Sequence, residues 1–365
     1  MTDVDIDALT AVEQSIGLRR PAFGRSFVQM DRWLVANSVA LSKIALGSGL
    51  KFLRLNSLGY SLELPRLDIT WDGWLAARQN GSRSRLPLLC SALYQGRRTR
   101  RAFYLTRRLT IKLLPPGQAP KWFRTDVEAR ALVASAGSVN VPRVMASGVL
   151  NDRAFIVEQL IAGRHPKSQK EHRILEILLP AVWTTYRAMG FGTAEAFPNL
   201  PIQTIQEELA RAEIPEQMTY ERECRDELIR RLKNLPSTTE HPLVTAFGHG
   251  DLSVGNIVIT GSGDPFVIDW ETAGQMPVVW DLRKLMASVP GFLSKSIELL
   301  RAELIRLGWR DAMGAESQCL LGLSAMVAQR SGAVHRAAGL PNPRQLRHTL
   351  RELRRVGHCL RTVLR

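Results

Sequence analysis

The chain has 365 residues, 45% of them hydrophobic and 23% charged. That length suits two domains, or one bilobal domain with an extension, and the composition is that of a globular protein with a packed core. A net charge of +15 favours anionic partners. The four cysteines, Cys90, Cys224, Cys319 and Cys359, form no CxxC pair, which argues against a zinc ribbon or a disulfide scaffold.

The N-terminal MTDVDIDALT is acidic and lacks the basic-then-apolar pattern of a secretory leader. The nearest approach to a membrane helix, Val35–Leu53, is broken by Lys43, Gly47, Gly49 and Lys51, short of the ~18 uncharged residues a span needs. A reducing, cytoplasmic setting is expected. Phe27, Met30, Trp33 and Leu34, then Ala40, Leu41, Ile44 and Leu46, recur at helix-like intervals. Residues 1–84 therefore read as a mostly helical extension, ended by the polar QNGSRSRLP at Gln79–Pro87.

From residue 85 the pattern turns to short strands: Leu88–Tyr94, Ala102–Thr106 and Leu109–Leu114, the last stopped by PPGQAP. Thr125–Gly137 reads as a helix with Thr125 as N-cap and Glu128 three residues on. VPRVMASGVL and RAFIVEQLI form a hairpin turning at Asn151-Asp152. Residues 85–160 thus make a small sheet with one helix. Residues 161–365 are mainly helical, through Ile174–Met189, Ile205–Leu232 and the C-terminal stretches. The last of these, RQLRHTLRELRRVGHCLRTVLR, sets a leucine stripe among arginines. It fits either a packed terminal helix or a basic amphipathic helix on an anionic membrane or acidic glycan.

One segment interrupts the helices: HGDLSVGNIVITGSGDPFVIDWE, His249–Glu271. Its apolar runs NIVI and FVID are joined by the turn TGSGDP, so an antiparallel pair brings Asn256, at the start of one run, towards Asp269, at the end of the other. Asp251 lies in the loop just before. A carboxylate with an amide oxygen is a hard site suited to Mg²⁺. A second carboxylate beside it can accept a hydroxyl proton, the arrangement that phosphoryl transfer needs.

The pattern H-G-D-x4-N…I-D-W-E closely resembles the catalytic segment of the aminoglycoside phosphotransferase/choline kinase superfamily, relatives of the protein kinases. The resemblance runs from about Leu86 to Lys284. It implies an α+β, bilobal, protein-kinase-like fold with a small β-rich N-lobe carrying one helix and a larger helical C-lobe. The roles it implies are Asp251 as catalytic base and Asn256 and Asp269 as Mg²⁺ ligands. His249 would brace the loop, and Asp281, in PVVWDLRKL, would support it. It further implies ATP as donor, with Lys112 of LTIKLL on the third strand holding the phosphates and Glu128 as that lysine's helix partner. The backbone of Glu158 to Leu160, in VEQLIAG, would hold adenine at the interlobe hinge.

The first hairpin departs from the protein-kinase pattern: YQGRRTRRAFYL has only Gly96, followed by arginines. These would contact phosphate, reach an anionic acceptor, or simply face solvent. The expected activity is ATP- and Mg²⁺-dependent phosphorylation of a hydroxyl on a sugar, glycan or lipid-linked glycan at the inner membrane face. The rival readings are an antibiotic kinase of the aminoglycoside type and a pseudokinase acting as a regulatory module. Nucleic acid is an unfavoured partner, since the chain lacks RRM-type aromatics and zinc spacing.

Overall fold

In the computed structural model, the described residues are 3–18, 25–30, 33–36, 53–55, 60–62, 83–86, 92–95, 99–104, 108–117, 120–166, 172–194, 201–212, 214–336 and 343–364. The chain divides into two compact units of an α+β fold, one rich in strands and one in helices. The first comprises Met1–Ser135, Asn140–Pro166 and Ile257–Glu271; the second comprises Ala136–Val139, Lys167–Asn256 and Thr272–Arg365.

The strand-rich unit opens with α1 (Asp3–Ser15), followed by β1 (Arg25–Met30), β2 (Trp33–Ala36), β3 (Leu53–Leu55), β4 (Tyr60–Leu62), β5 (Arg83–Leu86), β6 (Ala92–Gln95), β7 (Arg100–Tyr104) and β8 (Leu109–Pro116). Then come α2 (Lys121–Ala136) and the hairpin β9 (Val144–Leu150) and β10 (Arg153–Gln159). The described strands of the larger sheet run in the order β5-β1-β2-β6-β7-β8-β10-β9. The β9–β10 turn falls at Asn151 and Asp152, whose φ values of 50° and 58° are both positive, as a two-residue primed turn requires.

The two-residue period of a strand sorts the sheet's faces. Leu109, Ile111 and Leu113 of β8 join Ala102, Tyr104, Phe155 and Val157 in a cluster with Ala8, Leu9 and Val12 of α1. The alternate positions Leu114, Ala154 and Ile156 pack with Phe123 of α2. Lys112 and Glu158 share the parity of this second face. Within the α1 interface, the buried Glu13 accepts a 2.6 Å hydrogen bond from the Tyr104 hydroxyl.

Residues 1–84 differ from expectation. Helix is present at α1, but Phe27–Leu34 falls on β1 and β2, with Met30 paired to Trp33. The three-residue spacing there spans two antiparallel partners rather than a helical turn. Ala40, Leu41, Ile44, Leu46 and Leu64–Trp74 lie outside the described residues, as do residues 96–98. The segment does not stand apart either: α1 supplies part of the sheet's core, and β1, β2 and β5 extend the sheet itself.

A smaller sheet in the same unit runs β15-β14-β11-β4-β3, with β11 (Gly163–Arg164), β14 (Ile257–Thr260) and β15 (Pro265–Val267). Ile257 pairs with Val267 and Ile259 with Pro265, the hairpin expected for NIVI and FVID. Gly163 pairs with Thr260, and a Cβ there would meet the Ile259 carbonyl oxygen at 2.2 Å, so only glycine fits.

The helical unit contains α3 (His172–Met189), β12 (Phe191–Ala194), α4 (Ile202–Ala210), α5 (Thr219–Lys233), β13 (Leu243–Gly248), β16 (Gly274–Pro277), α6 (Val278–Ser288), α7 (Phe292–Leu307), α8 (Ala315–Arg336) and α9 (Pro343–Thr362). The expected helix Ile205–Leu232 is two helices, with Pro215 between them unable to continue the ladder. Cys319–Ala328 of α8 is buried around nearly its whole circumference, as an apolar central helix should be. On α9, Leu350, Leu353, Val356, Leu360 and Leu364 are buried, while Arg347, Arg351, Arg354 and Arg361 face outward. Packing therefore consumes the apolar stripe that a membrane-inserting helix would need.

Candidate active site

In the helical unit, β13 delivers the chain into His249-Gly250-Asp251. Gly250 has φ +80°, and a Cβ on it would lie 2.3 Å from the Thr272 carbonyl oxygen, so the loop requires glycine at this point. The buried Asp281, in the first turn of α6, accepts hydrogen bonds from the His249 amide at 2.9 Å and the Gly250 amide at 2.7 Å. It also accepts one from the Tyr186 hydroxyl at 2.7 Å. Burial, with Asp281 adding to it, pushes the Tyr186 phenol well above its ordinary range. His249 is buried, and its Nδ1 accepts the Asp251 amide at 3.2 Å. It thus holds the loop rather than facing outward.

Asp251 itself is partly exposed. The Asn256 side-chain nitrogen donates to its carbonyl at 2.9 Å and to its Oδ2 at 3.3 Å. The Lys284 ammonium, from α6, donates to its Oδ1. With its nitrogen committed to Asp251, Asn256 has its amide oxygen left as the group able to meet a cation.

In the strand-rich unit, period 2 places Arg101, opposite Lys112 in the β7–β8 register, on the same face as Lys112 and Glu158. The Lys112 ammonium lies 3.1 Å from Asp269 Oδ1, 3.4 Å from Asp126 Oδ2 and 3.5 Å from Glu158 Oε1. Arg130 joins Asp126 at 2.9 Å and also pairs with Glu158. Arg101 reaches Asp269 Oδ1 at 3.2 Å. Three cations and three carboxylates are thus paired in a largely buried cluster, as buried charge must be. Burial, the largest influence on Lys112, pulls its pKa down, but Glu158, Asp269 and Asp126 outweigh it and hold the ammonium above its ordinary range. Asp269 likewise raises Arg101. Burial, then Asp269, raises the Glu271 carboxyl.

The acid expected to partner Lys112 is corrected. Glu128 is exposed, and Asp126 takes its place. The reason is helix phase. The helix α2 begins at Lys121, before the expected cap at Thr125, and its buried stripe is Phe123, Asp126, Ala129, Arg130 and Val133. Glu128 falls on the opposite side of that stripe. The same Asp126 accepts the Trp270 amide at 3.1 Å, tying α2 to the segment that carries Asp269. Asp269 has φ 61°, a left-handed conformation that aspartate tolerates better than most residues and that clusters at functional sites.

Glu158 and Leu160, expected to hold adenine through their backbone, also make contacts within the fold. The Glu158 carboxylate belongs to the ion cluster, and the Leu160 amide donates to the Arg108 carbonyl at 2.8 Å, so that donor is committed within the fold. The sequence named Arg101 only among the arginines that could reach phosphate, and it missed Asp126, Arg130 and Lys284. Strand parity and the apolar phase of α2 could have found Arg101, Asp126 and Arg130. Lys284 lies three residues after Asp281, on the same side of α6.

The donors suit a hard cation: a carboxylate at Asp269 and an amide oxygen at Asn256. Among the described residues no group of three or more His, Cys, Asp or Glu could hold a metal ion. Among the described residues no helix is long and apolar enough to cross a membrane.

Solved structures similar to this chain include the AMP-bound spectinomycin phosphotransferase APH(9)-Ia, at 12% identity over 73% of this chain and 91% of that one, TM-score 0.47. An aminoglycoside phosphotransferase from Alicyclobacillus acidocaldarius is 14% identical over 75% and 92%, TM-score 0.45. A choline/ethanolamine kinase family protein from Mesorhizobium loti is 16% identical over 71% and 89%, TM-score 0.42. No curated protein matches the chain. The sequence model of the phosphotransferase enzyme family, APH, matches residues 93–313. That span is over half of the chain and includes Lys112, Asp251, Asn256 and Asp269, so the chain belongs to the phosphotransferase enzyme family.

Proposed function

We propose that this small-molecule kinase transfers the γ-phosphoryl group of ATP to a hydroxyl of a neutral or anionic acceptor: a sugar, a glycan, or a lipid-linked glycan at a membrane face. Asp251 accepts the hydroxyl proton as the oxygen attacks phosphorus. Lys112 serves the donor's phosphates. Asn256 and Asp269 are the residues that would hold Mg²⁺, which when bound supplies positive charge against the phosphate oxygens. His249 and Asp281 hold the loop that presents Asp251.

The observation that carries the acceptor class is the ammonium of Lys284 on Asp251. An acceptor must bring its hydroxyl to that carboxylate, and a polycation would do so against a fixed like charge. The chain's +15 adds to the same field. A competition decides it: Mg·ATP with a kanamycin-type aminoglycoside, free sugars and lipid-linked glycans at equal concentration. Preferred phosphorylation of a sugar or glycan is expected. Efficient transfer to the polycation would return the protein to antibiotic modification.

A second reading, a nucleotide-binding module without catalysis, draws on the two cations that Asp269 already faces, Arg101 and Lys112. It requires ATP binding that is indifferent to Mg²⁺, which calorimetry with and without a chelator measures.

A further inference from the structure

Beyond the residues that the motif supplies, α6 contributes a second grip on the loop. Asp281 and Lys284 are three residues apart and so lie on one side of the helix. Asp281 takes the backbone amides of His249 and Gly250, and Lys284 takes the side chain of the next residue, Asp251. The Asp251 carboxylate then has one donor on each oxygen: Lys284 on Oδ1 and Asn256 on Oδ2. A carboxylate has about four acceptor positions, so both donors can stay while a hydroxyl approaches. The Asp251 side chain is 44% exposed and that of Lys284 is 23% exposed. The base thus faces outward while its cation is mostly enclosed.

We infer that Lys284 is a positioning residue for the phosphoryl transfer, fixing the Asp251 carboxylate and balancing its charge through the step. This rests on Asp251 being the base. In the step, the acceptor O–H bond breaks and its proton passes to Asp251. The acceptor oxygen bonds to the γ-phosphorus, and the bond from phosphorus to the bridging oxygen breaks, its electron pair leaving on ADP. Before the step the ammonium faces a carboxylate. After it, Asp251 is neutral, and the ammonium keeps its charge beside the oxygen that now carries the phosphoryl group. A fixed cation where negative charge arrives is the kind of preorganised group that speeds such reactions.

The test uses the full chain and Mg·ATP hydrolysis with water as acceptor, so no acceptor need be known. Lys284→Met keeps the stem and removes the charge. Its kcat should fall roughly 10- to 100-fold, up to but not beyond the ~100-fold at which the loss of a base or electrostatic donor itself begins, with KM for ATP within about twofold. Lys284→Arg should recover most of the loss. In an Asp251→Asn background, Lys284→Met should cost nothing further, because a residue acting through Asp251 has nothing left to position. Wild-type kcat in Lys284→Met would overturn the inference. So would an equal loss in the Asp251→Asn background, or Lys284→Arg as impaired as Lys284→Met. If Asp251→Asn hydrolyses ATP like the wild type, or the wild type does not turn over, the phosphotransferase reading fails first and takes this one with it.

Discussion

Replacing Asp281 with alanine removes one carboxylate and strands three donors: the amides of His249 and Gly250 and the Tyr186 hydroxyl, at 2.9, 2.7 and 2.7 Å. Asp281, His249 and Tyr186 are all buried, so water does not replace the lost acceptor without opening the loop. An unsatisfied buried donor costs about 1–3 kcal/mol, and hydrogen bonds to a charged group lie at the upper end. Partial collapse of the loop recovers some of the sum, leaving an expected loss of about 3–5 kcal/mol, at the severe end for a single substitution. Asp281→Asn keeps one acceptor oxygen but turns an NH₂ towards a donor, and should cost about half as much. Tyr186→Phe removes one donor and leaves both amides paired, so it should cost least. Urea unfolding of the three variants reads this order directly, and Mg·ATP turnover should fall in the same order because Asp251 follows the two held amides. A loss under about 1 kcal/mol in Asp281→Ala, or Tyr186→Phe as costly as Asp281→Ala, would refute the reasoning.

Other outcomes follow from the same contacts. Asp126→Asn weakens the pairing of Lys112 and Arg130 and should cost about 3–5 kcal/mol of stability, as breaking buried pairs does, whereas Glu128→Gln should stay within about 0.5 kcal/mol; denaturant midpoints decide between the two acids. Leu9→Ala, in the core between α1 and the sheet, should cost about 2–5 kcal/mol, and a neutral result would free α1 from the strand-rich unit. Burial pushes the Cys224 thiol up to about 12 and the Cys359 thiol up to about 11, and raises Cys319 further. None of the three should react with iodoacetamide at pH 8 until the chain unfolds, because the thiolate is the nucleophile; mass spectrometry of the folded protein checks each site.

The candidate loop was legible in the sequence because its residues are local. Asp251, Asn256 and Asp269 sit within 19 residues of sequence, around the hairpin of NIVI and FVID. Lys112 was legible because a lysine flanked by apolar residues on a strand needs an acid. Which acid it finds depends on the face that α2 buries: its stripe carries Asp126 and leaves Glu128 on the opposite side. The β1–β2 hairpin was misread because partners across a two-residue connection mimic a helical spacing. Lys284 was invisible for a different reason. Nothing in its neighbourhood differs from an ordinary helix surface until α6 is set against the loop 33 residues before it.

The most direct test of the central claim is phosphorus NMR of Mg·ATP with the purified chain and a panel of hydroxyl acceptors, run beside Asp251→Asn and Asp269→Ala. The account predicts that the wild type consumes the γ-phosphorus signal and raises a new phosphate-ester resonance. Asp251→Asn should slow this at least ~100-fold, the scale of a lost general base, while still binding nucleotide. Asp269→Ala should lose the dependence on Mg²⁺ together with the activity. A phosphate ester formed at the wild-type rate by Asp251→Asn, or by Asp269→Ala at matched Mg²⁺, would contradict it.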